Sequence, residues 1–221
     1  MNPIKNIIFD LGGVILDINY QATIDAFEKL GISNFSNLYS QKSQQKLFDQ
    51  LETGHISSKE FIMRIQQIHS VQVSNEHIIT AWNSMLKGVK KNKLDYIISL
   101  KSNYRTILLS NTNEIHIASF EQEMSNNQML THFKSCFENI YYSSRMGLRK
   151  PHSICFEKVL SEQKLNSKET LFIDDSDQHI EGAKSCGIKA VLFPQNGIIQ
   201  DWLPDICLLY TSDAADEVDS V

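Results

Sequence analysis

Apolar and polar positions along the chain fall into two rhythms. Residues 4–9 (IKNIIF) form a short Ile-rich run that ends at Asp10 and is broken by Gly12-Gly13, the pattern of a buried strand with a turn at its carboxyl end. Residues 14–18 continue as a second extended piece. From 20 to 86 the period lengthens. Ala22, Ile24, Phe27 and Leu30 recur at helical spacing before Gly31, and Leu47, Phe48 and Leu51 do so before Gly54. Ser57 and Glu60 fit a capping box ahead of the apolar face Phe61, Ile62, Ile65 and Ile68, and 77–86 predicts a fourth helix. This stretch is read as all-helical.

Beyond Gly88 strands and helices alternate. Residues 94–100 predict a helix, 106–110 a strand, 115 onward a helix and 139–142 a strand. A helix over 154–160, a strand over 171–173, a helix over 180–186 stopped by Gly187 and a last strand over 190–193 complete the series. Such alternation implies an α/β fold: a Rossmann-like parallel sheet covered on both faces, with the helical stretch inserted after the first strand. The domain reading is a core of 1–16 and 89–206 with a small all-α cap over 17–88.

Three strand ends and one loop carry reactive groups: Asp10-Leu-Gly-Gly-Val14, Ser110-Asn-Thr-Asn113, Asp174-Asp175 and Gly147-Leu-Arg-Lys150-Pro151. In open parallel sheets ligands bind at the carboxyl ends of the strands. Taken singly, these are a turn residue, a helix cap, a solvated lysine and a pair of capping acids. Together they make a coherent site. Three carboxylates repel one another unless a cation joins them, and a hard oxygen-seeking ion such as Mg²⁺ suits them. Gly12 and Gly13 let backbone N–H groups approach an anion. Ser110 can donate to a phosphate oxygen, and Lys150 can neutralise phosphate and a nucleophilic carboxylate. The combination points to phosphoryl transfer.

These four motifs, in this order and on these elements, resemble those of the haloacid dehalogenase-like hydrolases. The details LSNTNEIH, GLRKP and DDxxxxIEGA are similar to small bacterial sugar-phosphate phosphatases of the glucose-1-phosphate type. The resemblance implies Asp10 as the nucleophile that forms an aspartyl-phosphate. It implies Asp10, the Gly12 carbonyl, Asp175 and, directly or through water, Asp174 as the Mg²⁺ site. It implies Gly12, Gly13, Ser110, Asn111 and Lys150 as phosphate-binding groups, with Lys150 also catalytic. The implied substrate is a small phosphorylated metabolite, since a helical cap would exclude macromolecules.

One position departs from the pattern. Most phosphatases of that superfamily carry a second Asp at the place of Gly12, as general acid/base. His116 and cap residue His55 are the candidate replacements, each set against the reading of an ordinary surface histidine. Two other functions stay open: a metal-free 2-haloacid dehalogenase, disfavoured by the acidic pair, and a non-catalytic phosphate-binding protein, disfavoured by intact Asp10, Lys150 and Asp175.

Composition adds exclusions. Of 221 residues 42% are hydrophobic and 21% charged, an ordinary globular balance, and the net charge is −5. Residues 207–221 (CLLYTSDAADEVDSV) read like sequencing-adapter DNA translated in frame, so they are expected to pack poorly and to be dispensable. Without their four acids the net charge would be −1. Neither value suggests a nucleic-acid partner. No apolar run predicts a membrane helix, and the beginning of the chain does not resemble a signal peptide. Cys136, Cys155, Cys186 and Cys207 have no metal-binding spacing. A cytoplasmic location is expected, and the oligomeric state is not legible.

Overall fold

The structure, a computed structural model, describes residues 3–32, 35–37, 39, 46–69 and 72–212. Five parallel strands form the central sheet: β1 (Asn6–Phe9), β4 (Arg105–Ser110), β5 (Asn139–Tyr142), β6 (Thr170–Asp174) and β7 (Lys189–Leu192), in the order β5-β4-β1-β6-β7. Strands β2 (Leu16–Ile18) and β3 (Leu86–Val89) pair antiparallel in a separate ribbon. The helices are α1 (Tyr20–Lys29), α2 (Lys46–Glu52), α3 (Ser58–His69), α4 (Asn75–Asn83), α5 (Lys91–Leu100), α6 (Glu114–Asn126), α7 (Leu130–Ser135), α8 (Ser143–Met146), α9 (Ser153–Gln163), α10 (Asp177–Ser185) and α11 (Ile199–Ser212).

The central strands read as unbroken apolar runs because both of their faces are covered. Their side chains alternate between two cores. Ile7, Phe9, Leu108, Leu171 and Ile173 join one cluster, while Ile8, Ile107, Leu109 and Phe172 join the other. The chain passes from β1 to β4 and β5 on one side, then returns to β6 and β7 on the other. Strand order therefore reverses at β1, which opens a crevice at the carboxyl ends of β1, β4 and β6.

The helices between β2 and β3 build an aromatic core of their own. Trp82 lies at its centre, with ring centroids 4.8 Å from Tyr39, 5.3 Å from Phe61 and 5.4 Å from Phe48. Ser57 caps α3 as its sequence predicts, accepting from the Glu60 amide at 3.1 Å, but the Glu60 carboxylate turns to Arg64 instead of closing the box. Phe61, Ile62 and Ile65 are buried, and the Ile68 side chain lies outside the described residues.

The helix expected over 77–86 ends at Asn83. Residues 86–89 become a strand instead, because they find a partner in the extended piece after the first strand. Pairing between segments so far apart along the chain leaves no local periodicity to read. Helices α7, α8 and α11 were also not anticipated; α7 and α8 are too short to show a helical period. Residues 207–212, expected to pack poorly, continue the backbone of α11, and 213–221 lie outside the described residues. No helix among the described residues is long and apolar enough to cross a membrane.

Candidate active site

The strand ends meet as the sequence requires. Ligating oxygens of Asp10, Asp174 and Asp175 all lie within 4.8 Å of one another. Lys150 comes from the loop before α9, preceding a cis Pro151, and is wholly buried. Its Nζ donates to Asp10 Oδ1 at 2.7 Å and to Asp174 Oδ2 at 2.6 Å. The ammonium also lies 5.3 Å from the Phe172 ring centroid.

Burial works against every charge here, so the pairings decide which groups ionise. For Lys150, Asp10 and Asp174 outweigh desolvation, and its pKa is raised. For Asp174, Lys150 and His179 outweigh it, and the pKa is lowered. Asp10 is a weaker acid than Asp174. Desolvation, with Asp174 adding repulsion, pushes its carboxyl up to about 6 although Lys150 pulls the other way. Three carboxylates around a single lysine, all of them hard oxygen donors, fit a divalent cation such as Mg²⁺.

Asp174 is enclosed. Its Oδ1 accepts from the Ser176 amide at 2.8 Å, and His179 Nδ1 lies 2.9 Å from Oδ1 and 3.0 Å from Oδ2. Asp175 lines the cavity and is only half-buried. The two adjacent acids thus do different work: Asp174 holds Lys150, and Asp175 faces the open space.

Gly13 has φ +75°, and a Cβ there would collide with the Asp175 carboxylate, so only glycine lets the turn pass this close. Gly12 differs. Its backbone is outside the left-handed region, and an added Cβ would touch only Ile18 Cγ1, at 3.4 Å. The absence of a second aspartate at this position is therefore not imposed by space.

Ser110 is buried at the end of β4 and lines the cavity. The Asn111 side chain, expected to hold phosphate, is committed to the lysine loop. Its Nδ2 donates to the Lys150 carbonyl and its Oδ1 accepts from the Lys150 amide, both at 2.9 Å. Neither Ser110 nor Asn111 caps α6; that cap is Asn113, whose Oδ1 accepts from the amides of Ile115 and His116.

The reading of His116 as a surface residue is corrected. It is buried and stacked on Trp82 at 4.8 Å, with Nδ1 facing Asn113 Nδ2 and Nε2 facing the Trp82 carbonyl. Desolvation, only partly opposed by the carbonyl bond, lowers its pKa to about 4. It borders the cavity as a neutral ring with both nitrogens engaged. His55 is exposed, pairs with Thr53 and does not line the cavity.

No motif announced another part of the lining of this cavity. Tyr20, Tyr39, Glu52 and Arg149 all line it. Arg149 reaches from the lysine loop to α2, where it pairs with Asp49 and, through Nη2, with Glu52 Oε2 at 3.1 Å. Burial raises both tyrosines well above 10, so the phenols stay protonated. His179 and Arg149 stand inside motifs legible in sequence, but no spacing rule marked them. Tyr20, Tyr39 and Glu52 had no signal at all.

A family model described as haloacid dehalogenase-like hydrolase matches residues 7–193. The chain belongs to this family. A D-ribitol-5-phosphate phosphatase from Bacteroides thetaiotaomicron is 32% identical over 211 residues, which are 95% of this chain and 100% of the relative. A solved family enzyme from the same organism, an aspartate-to-alanine variant with magnesium and inorganic phosphate, superposes with TM-score 0.81 at 31% identity, covering 88% of this chain and 96% of that one. A predicted family hydrolase from Porphyromonas gingivalis gives TM-score 0.80 at 31% identity, covering 94% and 98%. An L-2-haloacid dehalogenase from Xanthobacter autotrophicus, at 15% identity and TM-score 0.58, shares the fold alone.

Proposed function

We propose that this protein is a Mg²⁺-dependent phosphatase that hydrolyses a small polyhydroxylated phosphate ester through an aspartyl-phosphate on Asp10. The observation that carries the reading is the gathering of Asp10, Asp174 and Asp175 around Lys150 at the reversal point of the sheet. The relative that acts on D-ribitol 5-phosphate supports the substrate class.

In this reading Lys150 keeps Asp10 anionic at the moment of attack and fixes Oδ1, so Oδ2 is the oxygen that meets phosphorus. The new Oδ2–P bond forms as the ester P–O bond breaks. The leaving oxygen takes a proton from solvent and departs as the alcohol. Water then adds to phosphorus, the P–Oδ2 bond breaks, and inorganic phosphate and the Asp10 carboxylate are restored. Ser110 and the backbone of Gly12-Gly13 orient the phosphoryl oxygens. Asp174 and His179 hold Lys150 in place, and Asn111 fixes the backbone of its loop. Asp10, Asp175 and the Gly12 carbonyl, with Asp174 directly or through water, would hold Mg²⁺, which would supply positive charge to the reacting phosphoryl group. Residues 17–88 act as a cap over a core of 1–16 and 89–206. A cytoplasmic setting without nucleic-acid or membrane partners belongs to the same proposal, in keeping with the free thiols Cys136, Cys155 and Cys186.

The test is a panel of phosphorylated sugars and polyols, with one 2-haloacid, assayed with Mg²⁺ and with excess chelator. Phosphate release that vanishes on chelation and returns with Mg²⁺ is expected. Haloacid turnover in chelator would overturn the reading.

A further inference from the structure

Arg149 and Lys150 are neighbours in one loop, yet Arg149 lines the cavity while Lys150 is buried. Lys150 engages the reacting carboxylate Asp10, and Arg149 engages helix α2. The Arg149 side chain is 17% exposed and that of Glu52 7%, so both are largely removed from water. Arg149 Nε is buried and has no hydrogen-bond partner among the described residues. A buried donor left unmatched costs stability, which a ligand oxygen would restore.

Vicinal hydroxyls each offer one donor and two acceptor sites. A carboxylate beside a guanidinium matches them: each hydroxyl can donate to the former and accept from the latter, with geometry fixed by the planar fork. The protonated phenol of Tyr20 extends the same wall with a further donor, whereas that of Tyr39 donates to Met85 Sδ at 4.0 Å.

From this juxtaposition we propose that Glu52 and Arg149 form a specificity-determining pair that selects phosphate esters whose leaving group carries vicinal hydroxyls. The inference rests on the phosphatase reading. It assigns discrimination to the Arg149–Glu52 pair, and it separates that pair from the chemistry at Asp10. Asp49, the other partner of Arg149, does not line the cavity and supplies a control for mere closure of the helical segment.

The experiment compares kcat/KM for D-ribitol 5-phosphate with that for n-butyl phosphate, which lacks the hydroxyls. Wild type, Glu52→Gln, Arg149→Lys and Asp49→Asn are assayed after folding is checked by thermal melting. Glu52→Gln keeps side-chain volume, so it decides the matter should Arg149→Lys fail to fold. The preference for the polyol ester should fall about tenfold or more in Glu52→Gln and Arg149→Lys, as expected when a hydroxyl-binding partner is removed. It should stay at the wild-type value in Asp49→Asn. An equal loss on both esters, an unchanged preference, or the same shift in Asp49→Asn would overturn the inference while leaving the phosphatase reading intact. Wild-type protein inactive on both esters in Mg²⁺ would overturn both.

Discussion

Two parts of the site are built differently. The phosphoryl end is made of strand ends and short side chains, cross-braced: Lys150 bridges two carboxylates, Asp174 also meets His179, and Asn111 clamps the lysine loop by two backbone bonds. The wall supplied by the inserted segment carries long side chains, Tyr20 from α1, Glu52 from α2 and Tyr39, and the Arg149 ion pairs hold α2 to the lysine loop. A parallel sheet fixes its strand ends through ladders on both sides, so the chemistry sits where the backbone moves least. The proposed selectivity pair joins Glu52 of the inserted segment to Arg149 of the lysine loop, side chains that can change without disturbing the sheet.

The first way to break this contrast is at Asp10, the proposed nucleophile. Asp10→Asn keeps shape but removes the attacking anion, so turnover should fall by about 10³-fold or more while the melting temperature barely changes. A variant retaining a tenth of wild-type activity would remove Asp10 from its role. Lys150→Met tests the bracing. It leaves Asp10 and Asp174 buried together without their shared cation, and urea unfolding should show a loss of about 3–5 kcal/mol along with the activity. An unchanged unfolding midpoint would show that the network does not brace the fold.

Where the helical segment meets the core, His116 predicts a pH effect of defined sign. Its pKa is about 4 in the fold against 6.5 for an ordinary histidine. As pH falls through this window the unfolded chain binds a proton that the folded chain refuses, so stability declines, by up to about 3 kcal/mol. Above the window the contribution is constant. Unfolding curves for His116→Gln should lack this part of the acid slope. The smallest effect is expected at Gly12→Asp, where the backbone and the 3.4 Å contact to Ile18 tolerate a side chain. If leaving-group protonation limits the reaction, turnover should rise roughly tenfold on alkyl phosphates and little on aryl phosphates. Equal or lower alkyl turnover in a folded variant would mean that another group already donates the proton.

The sequence was most informative where a local pattern has one structural solution. The Ile-rich run before Asp10, TILLS before Asn111 and LFI before Asp174-Asp175 have the length and composition of doubly covered strands. Chain order then placed their reactive ends on one edge of the sheet, so Asp10, Ser110, Lys150, Asp174 and Asp175 could be named without coordinates. Gly187, at φ +75°, ends α10 as its position predicted.

Tertiary structure alone decided what each of those groups does and what surrounds it. Asp174 and Asp175 are adjacent and chemically identical, and only packing separates a fully buried partner of Lys150 from a half-buried group facing the cavity. His116 sits in a helix whose spacing could not say that Trp82 would cover it and hold it neutral. The ribbon of β2 and β3 pairs Leu16 with Val89 and Ile18 with Leu86, and the ion pair joins Arg149 to Glu52, all far apart along the chain. Periodicity reports contacts within a few residues along the chain. Hydrogen bonds, burial and ion pairing across such separations arise only when the fold closes, and it is these that gave Asp174, Asp175, His116 and Arg149 their different surroundings.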